Sequence, residues 1–317
     1  MGGLPMLRPI LSCAVSLAVA IGPMLSVKAP PGSEPASDSP PVLTIHKTTR
    51  EVQLAFHVSL NGRAIRNLQR GQVLVYQDEK RVTGITGFYE DEDLPLQLVL
   101  MIDTSASMSK KFAPEQAAAI AFLRRVIRPS IDQSMAVAFS THASLDSVMD
   151  ASSPAGLRQI ALLRPSGLTA LFDSIYEVSS RISETSRQPG RSRNILVLLS
   201  DGDDTYSLHS LEQAIAAAQN SDLTIYAITD HSQHKVNWGD ANLEKMAAAT
   251  GGEVFLLRKF KSTETTFAEL ESKTRTQDTV TFALAGESCG FHSVRVETTD
   301  RKMQVRSRTG FYRDCSQ

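Results

Sequence analysis

A surplus of charge of either sign is missing from this sequence. Its 33 Lys and Arg are balanced by 34 Asp and Glu, a formal net charge of −1, so it carries no electrostatic footprint for nucleic acid. The one sizeable basic cluster, residues 187–193, is diluted by Gln188, Pro189 and Gly190 and reads as a solvated loop. Cysteine is scarce, with three in 317 residues, and no two of them lie at metal-ligand spacing, which argues against a thiolate metal site. There is no Gly-x-Ser-x-Gly elbow and no Gly-x-x-x-x-Gly-Lys-Ser/Thr loop. Asp103-Thr104-Ser105 superficially matches an aspartic-protease motif, but that chemistry needs a second aspartate in a matching loop. Asp201-Gly202-Asp203 does not repeat it, and the helical content contradicts an all-β protease. A phosphatase of the Asp-x-Asp class needs a carboxylate where Ser105 stands. These absences argue against an enzyme and leave a hydrolase as a remote alternative.

What is present begins with an ordinary composition, 42% hydrophobic and 21% charged, enough to bury a core. Near the N-terminus, Arg8 precedes an apolar run over residues 10–21. It falls short of the ~20 residues that span a bilayer and fits the central region of an export signal. Residues 1–29 are therefore expected to be a signal peptide. Val27-Lys28-Ala29 has the small-x-small form for cleavage, yet Pro30 follows directly, so an uncleaved anchor stays open beside a cleaved signal. Cys13 is no lipoprotein site, because the apolar run follows it. The expected location is outside the cytoplasm: periplasmic, cell-surface or secreted. Cys289 and Cys315 would then remain as an even pair in an oxidising compartment. They either stay as free thiols or bridge, closing a C-terminal loop worth ~3 kcal/mol by loop entropy.

Residues 30–41 are Pro/Ser-rich and read as a linker. Residues 42–94 form a β-rich segment, with strands expected over 43–45, 52–58, 73–76 and 82–88 between turn signals such as Asn61-Gly62. Residues 95–277 take up an α/β rhythm. Strands are expected over 96–102, 135–139, 195–199, 223–228 and 254–257, and helices over 114–127, 168–183, 208–219, 243–249 and 263–276. Fully apolar strands alternating with helices imply a doubly wound, mostly parallel sheet covered on both faces. Residues 278–317 return to short strands, too few for a domain of their own. They are expected to pair with residues 42–94 as a flanking β-sandwich-like domain built from N- and C-terminal strands.

The chemistry gathers where such a sheet places its site, at the carboxyl ends of the strands. One buried strand ends at Asp103-x-Ser105-x-Ser107 and another at Asp201-Gly202, while Ser166-Gly167-Leu168-Thr169 lies at the head of a helix. Two carboxylates and three hydroxyls without Cys or His form a hard-oxygen donor set, suited to Mg²⁺, with Mn²⁺ or Ca²⁺ as alternatives. Asp103 as a helix cap and the serines as turn residues is the plainer reading. His231, His234 and Trp238 fall in a polar stretch expected to be an exposed loop.

These residues resemble the metal-ion-dependent adhesion site of von Willebrand factor type A and integrin inserted domains. The resemblance extends over residues 96–277, through Ile225-Tyr226-Ala227-Ile228 and the stretch from Ala249 to Phe255. The β segment before it and the Gly310-Phe311-Tyr312 ending are similar to exported bacterial proteins of that family. It implies that Ser105 and Ser107 bind the metal directly. Thr169 would bind in the ligand-competent state, and Asp103 and Asp201 directly or through water. A partner protein's Asp or Glu would complete the shell. Gly167, Leu168, Asp203 and Asp204 would form the rim that meets the partner, with Leu168 standing where many relatives have a second glycine. A metal-silent structural or scaffold protein of the cell envelope is the alternative.

Overall fold

In the computed structural model, which describes residues 51–90, 94–185, 192–229, 238–257, 260–286 and 288–313, five strands come first. They are β1 (Glu51–Leu60), β2 (Arg63–Ala64), β3 (Val73–Gln77), β4 (Lys80–Arg81) and β5 (Ile85–Glu90). Along β1, Val52, Leu54, Phe56 and Val58 are buried at a period of two, as a strand with one face on a core requires. Asn61 and Gly62, at φ 50° and 75°, close the β1–β2 hairpin with the two positive dihedrals that a tight two-residue turn demands.

The α/β part follows: β6 (Leu96–Asp103), α1 (Phe112–Val126), β7 (Gln133–Phe139), β8 (Met149–Asp150), α2 (Pro154–Leu162), α3 (Leu171–Thr185), β9 (Arg193–Leu199), α4 (Leu211–Asn220), β10 (Leu223–Thr229), α5 (Trp238–Thr250), β11 (Val254–Leu256) and α6 (Phe260–Arg275). Its six-stranded sheet has the order β11-β10-β9-β6-β7-β8, parallel except for β8, which pairs antiparallel with β7. The first strand of the series, β6, pairs with both β7 and β9, so the winding reverses between β6 and β9. Leu98, Leu100 and Ile102 face one core with Phe122, Leu123 and Phe267 from α1 and α6. Val99 and Met101 face the other, with Ile175, Val178, Ala218 and Met246 from α3, α4 and α5. A strand buried on both faces has no polar alternation, which is why residues 98–102 of β6 are an unbroken apolar run.

The chain then returns through β12 (Asp278–Ala283), β13 (Gly290–Thr298), β14 (Gln304–Ser307) and β15 (Gly310–Arg313). β12 lies between β1 and β5 in a sheet ordered β14-β1-β12-β5, and β13 joins β3 in a second sheet ordered β15-β13-β3-β4. Val52, Leu54 and Phe56 meet Val75, Val280, Phe282, Val294 and Val296 in a third core shared by the two sheets. The flanking β-sandwich is thus built from both ends of the described chain.

Several boundaries differ from the sequence expectation. α2 was not anticipated; it is nine residues long and opens on Ser153, whose Oγ accepts the Gly156 amide at 3.0 Å. Trp238 begins α5 instead of sitting in a loop. α3 begins at Leu171, not at 168, because Gly167 has φ 86° and the Thr169 carbonyl accepts from another loop. The expected signal, the Pro/Ser-rich stretch, the strand over 43–45, residues 187–191 of the basic cluster, His231, His234 and Cys315 lie outside the described residues. Cys289 is disulfide-bonded. Among the described residues no helix is long and apolar enough to cross a membrane.

Candidate metal centre

The winding reversal between β6 and β9 opens a crevice at their carboxyl ends, the place where open α/β sheets receive ligands. Asp103 is the last residue of β6, and Asp201 stands two residues past the end of β9. Asp103 is fully buried. Its Oδ1 accepts the Ser105 amide at 2.8 Å and its Oδ2 accepts the Ser200 hydroxyl at 2.7 Å. Burial pushes this carboxyl above the usual range; the bonds from Ser105 and Ser200 pull it back, and the charge of Asp201 pushes it up again. A cation there would offset the cost of holding two carboxylates side by side.

Ser105 is buried and Ser107 exposed, with their Oγ atoms 3.0 Å apart. Adjacent oxygens around an octahedral Mg²⁺ at ~2.1 Å are separated by about 3.0 Å, so the pair already has the spacing of two neighbouring ligands. Thr169 is buried in the loop before α3. Its amide donates to Thr205 Oγ1 at 3.1 Å, and its carbonyl accepts the amides of Thr205 and Tyr206 at 2.8 and 2.9 Å. The same loop is tied to β6 and β7. The Ala106 amide donates to the Gly167 carbonyl at 3.1 Å, Ser166 to Thr104 at 2.5 Å, and Ala170 to Ser140 at 2.6 Å. Leu168 is half exposed.

Asp201 is buried and accepts the Asp203 amide at 3.4 Å. Gly202 has φ 79°, and a Cβ there would fall 2.2 Å from the Gly239 carbonyl oxygen. In turn, a Cβ on Gly239 would fall 2.2 Å from the Asp201 carbonyl oxygen. Asn242 completes this contact by donating to the Gly202 carbonyl at 3.1 Å. The first turn of α5 is therefore pressed against the Asp201 loop, backbone to backbone.

All five residues read from the sequence as ligands stand on three loops at one edge of the sheet. Four positioning residues went unread there: Ser200, Thr205, Gly239 and Asn242. Ser200 both donates to Asp103 and accepts the Gly202 amide at 3.0 Å, joining the two carboxylate loops. Its only sequence signal is a hydroxyl directly before Asp201. Of the expected rim, Asp203 is exposed. Asp204 is turned to α3, where its Oδ1 accepts the amides of Leu171 and Phe172 at 2.8 and 3.2 Å. That carboxylate caps a helix and favours its positive end.

The donor set fits a hard divalent ion. Among the described residues no group of three or more His, Cys, Asp or Glu is arranged to hold a metal, so any metal held here rests on hydroxyls as much as on carboxylates. The protein is similar in fold to a von Willebrand factor type A protein from Catenulispora acidiphila, at 14% identity and TM-score 0.49, over 85% of this chain and 76% of that one. It is also similar to the ArnB paralog VWA2 from Sulfolobus acidocaldarius, at 16% identity and TM-score 0.45, over 83% and 76% of the two chains. A third likeness is to proximal thread matrix protein 1 of the mussel byssus with a zinc-occupied MIDAS motif, at 16% identity and TM-score 0.47. That one covers 64% of this chain but only half of the mussel chain. No curated protein matches. The family model of the von Willebrand factor type A domain matches residues 97–269, more than half of the sequence and the stretch that holds all three loops of the candidate site, and the chain belongs to that family.

Proposed function

We propose that this chain is an exported binding module that grips a protein partner through a divalent cation, most simply Mg²⁺. Ser105, Ser107 and Thr169 would hold the ion through their hydroxyls, with Asp103 and Asp201 binding directly or through water. Because both oxygens of Asp103 already accept protein hydrogen bonds, its remaining capacity suits bound water and the orientation of Ser105. The ion, when bound, supplies a Lewis-acidic point that takes a carboxylate. With neutral hydroxyls making up most of its protein ligands it would stay electrophilic and keep a position for water or for an Asp or Glu of the partner.

The observation that carries this reading is the convergence of Asp103, Ser105, Ser107, Thr169 and Asp201 on the crevice where the sheet reverses its winding. Type A domains are in general interaction modules, which favours binding over catalysis. Export rests on the apolar run over residues 10–21 and on the oxidised state of Cys289, since disulfides persist in oxidising compartments.

Water proton relaxation of the Mn²⁺-loaded protein tests the binding chemistry. Exchangeable waters on bound Mn²⁺ should enhance relaxation, and an Asp-containing peptide should reduce that enhancement by displacing water. A bound ion that shows no such waters, or a peptide that leaves the enhancement unchanged, would mean a closed site with a structural role. Fractionation of cells expressing the full chain tests export: recovery only in the cytoplasm would reject it.

A further inference from the structure

The face around this centre is chemically lopsided. Leu208 is 94% exposed, Trp238 86%, Tyr206 55% and Leu168 51%. Leu168, Tyr206 and Trp238 are tied to the three loops through backbone, and Leu208 to α3. Leu168 precedes Thr169, and the Tyr206 amide donates to the Thr169 carbonyl at 2.9 Å. Trp238 precedes Gly239, the residue packed on Asp201. The Leu208 amide donates to Asp173 of α3 at 3.0 Å, beside His209, whose ring stacks on Tyr176 at 3.9 Å. Tyr206, Leu208 and Trp238 belong to the side formed by α3, α4 and α5, and Leu168 stands in the loop that leads into α3. Across the crevice, Ser107 leads into Ser109 and Lys110, both exposed, and the one large apolar side chain exposed on α2, Leu162, stands at the far end of that helix, four residues before Ser166.

Resting on the metal-bridged reading above, we infer that the partner is a protein segment with an amphipathic arrangement. Its metal-binding Asp or Glu is flanked on one side by apolar side chains that cover Leu168, Tyr206, Leu208 and Trp238. On the other side it carries a second acidic residue, facing Lys110. Exposed Tyr and Trp beside a polar anchor are the residue types that dominate interface energetics. Singly scattered exposed apolar residues need no explanation, but neighbours sharing one edge do. The charge complement follows the same division. Lys110 is exposed and attracts an acid on its own side.

Selection of random twelve-residue peptides displayed on phage, against Mg²⁺-loaded full chain, tests this. Recovered peptides should carry an acidic residue with Leu, Phe or Trp within three positions on one side. On a Tyr206→Ser, Leu208→Ser, Trp238→Ser variant the acidic residue should persist and the apolar bias vanish, and peptides from the first selection should bind at least tenfold more weakly. On Lys110→Glu the second acid should be lost. Unchanged Mg²⁺ affinity of these variants by calorimetry confirms that the centre is intact. Acidic peptides with no apolar bias on the parent protein would overturn the inference while leaving the metal reading in place. Apolar peptides that bind equally in chelator, without an acid, would overturn the metal reading and with it the inferred bridge.

Discussion

Ser200 Oγ lies 2.7 Å from Asp103 Oδ2 and joins two loops that are 97 residues apart in sequence. It donates to the carboxylate and accepts the Gly202 amide, so one hydroxyl sets the spacing between the Asp103 and Asp201 loops. Ser200→Ala leaves a buried carboxylate oxygen and a buried amide without that partner. We expect a stability loss of ~1–3 kcal/mol, read from the urea midpoint, and about tenfold weaker Mg²⁺ binding, typical when a group orienting a ligand is removed. An unchanged midpoint together with unchanged affinity would show that Ser200 does not position the site.

Gly239→Ala tests the contact between α5 and the Asp201 loop. The added Cβ would sit 2.2 Å from the Asp201 carbonyl oxygen and 2.9 Å from the Asp203 amide nitrogen, both backbone atoms with no rotamer to yield. Ala is otherwise the better helix former, so a purely helical position would gain stability. We expect thermal stability to fall and Mg²⁺ affinity to drop at least tenfold. A variant that melts higher and binds normally would contradict the close packing.

A buried ion cluster holds the opposite end of the sheet. Asp132 has a fully buried side chain and accepts the Leu96 amide at 2.9 Å and the Arg128 amide at 2.7 Å. It also pairs with Arg128 at 3.1 Å and with Arg275 at the end of α6. Burial pushes its carboxyl up, but the bonds from Arg275 and Arg128 outweigh that and hold it far below the usual range. A depressed folded value gives stability that is present above about pH 4 and is lost as pH falls below it. Asp132→Asn should cost about 2–4 kcal/mol, below the full cost of breaking a buried pair because both arginines are partly exposed. It should also flatten the acid limb of a stability-versus-pH curve between pH 5 and 2; an acid limb as steep as the parent's would assign that limb to other carboxylates.

His292 supplies the opposite sign. Its Nδ1 lies 2.7 Å from Asp78 Oδ2 and its Nε2 lies 3.0 Å from the Ser288 carbonyl. Both partners only accept, so the ring satisfies both as imidazolium. The bond to Asp78 raises its pKa, and the bond to Ser288 adds to that. The stabilisation is therefore complete below about pH 6.5 and is lost as pH rises through the raised value. His292→Gln should remove the decline in urea midpoint on that alkaline side. A decline that survives the substitution belongs to another group.

The parts of the molecule that follow local rules were legible in the residues. β6 could be read because burial on both faces leaves no polar alternation in residues 98–102, and Asp103 stands out as the first charge after it. β1 could be read from its period of two, and the return of residues 278–313 to the N-terminal strands from their being too few to fold alone. The misreadings share a cause in distant partners. Leu168, Leu171 and Ile175 continue one apolar period, so the start of α3 looked earlier than it is. It is set by Gly167 and by a cap from Asp204, 33 residues away. Trp238 looked like a loop residue because α5 begins where its backbone packs on Gly202, which no local pattern signals. α2 is short, and Gly156 inside it argues against a helix. It is glycine because a Cβ would fall 1.9 Å from the Asp150 carbonyl oxygen. Ser200 and Thr205 were missed because their roles are bonds across the crevice, to Asp103 and Thr169.

Calorimetric titration of Mg²⁺ and Mn²⁺ into the chelator-stripped full chain, beside Asp103→Ala, tests the central claim most directly. The account predicts saturable single-site binding in the parent, an apo protein that stays folded, and loss of binding in a variant whose far-ultraviolet circular dichroism is that of the parent. A parent protein that binds neither ion, or a folded Asp103→Ala variant that binds as tightly as the parent, would contradict it.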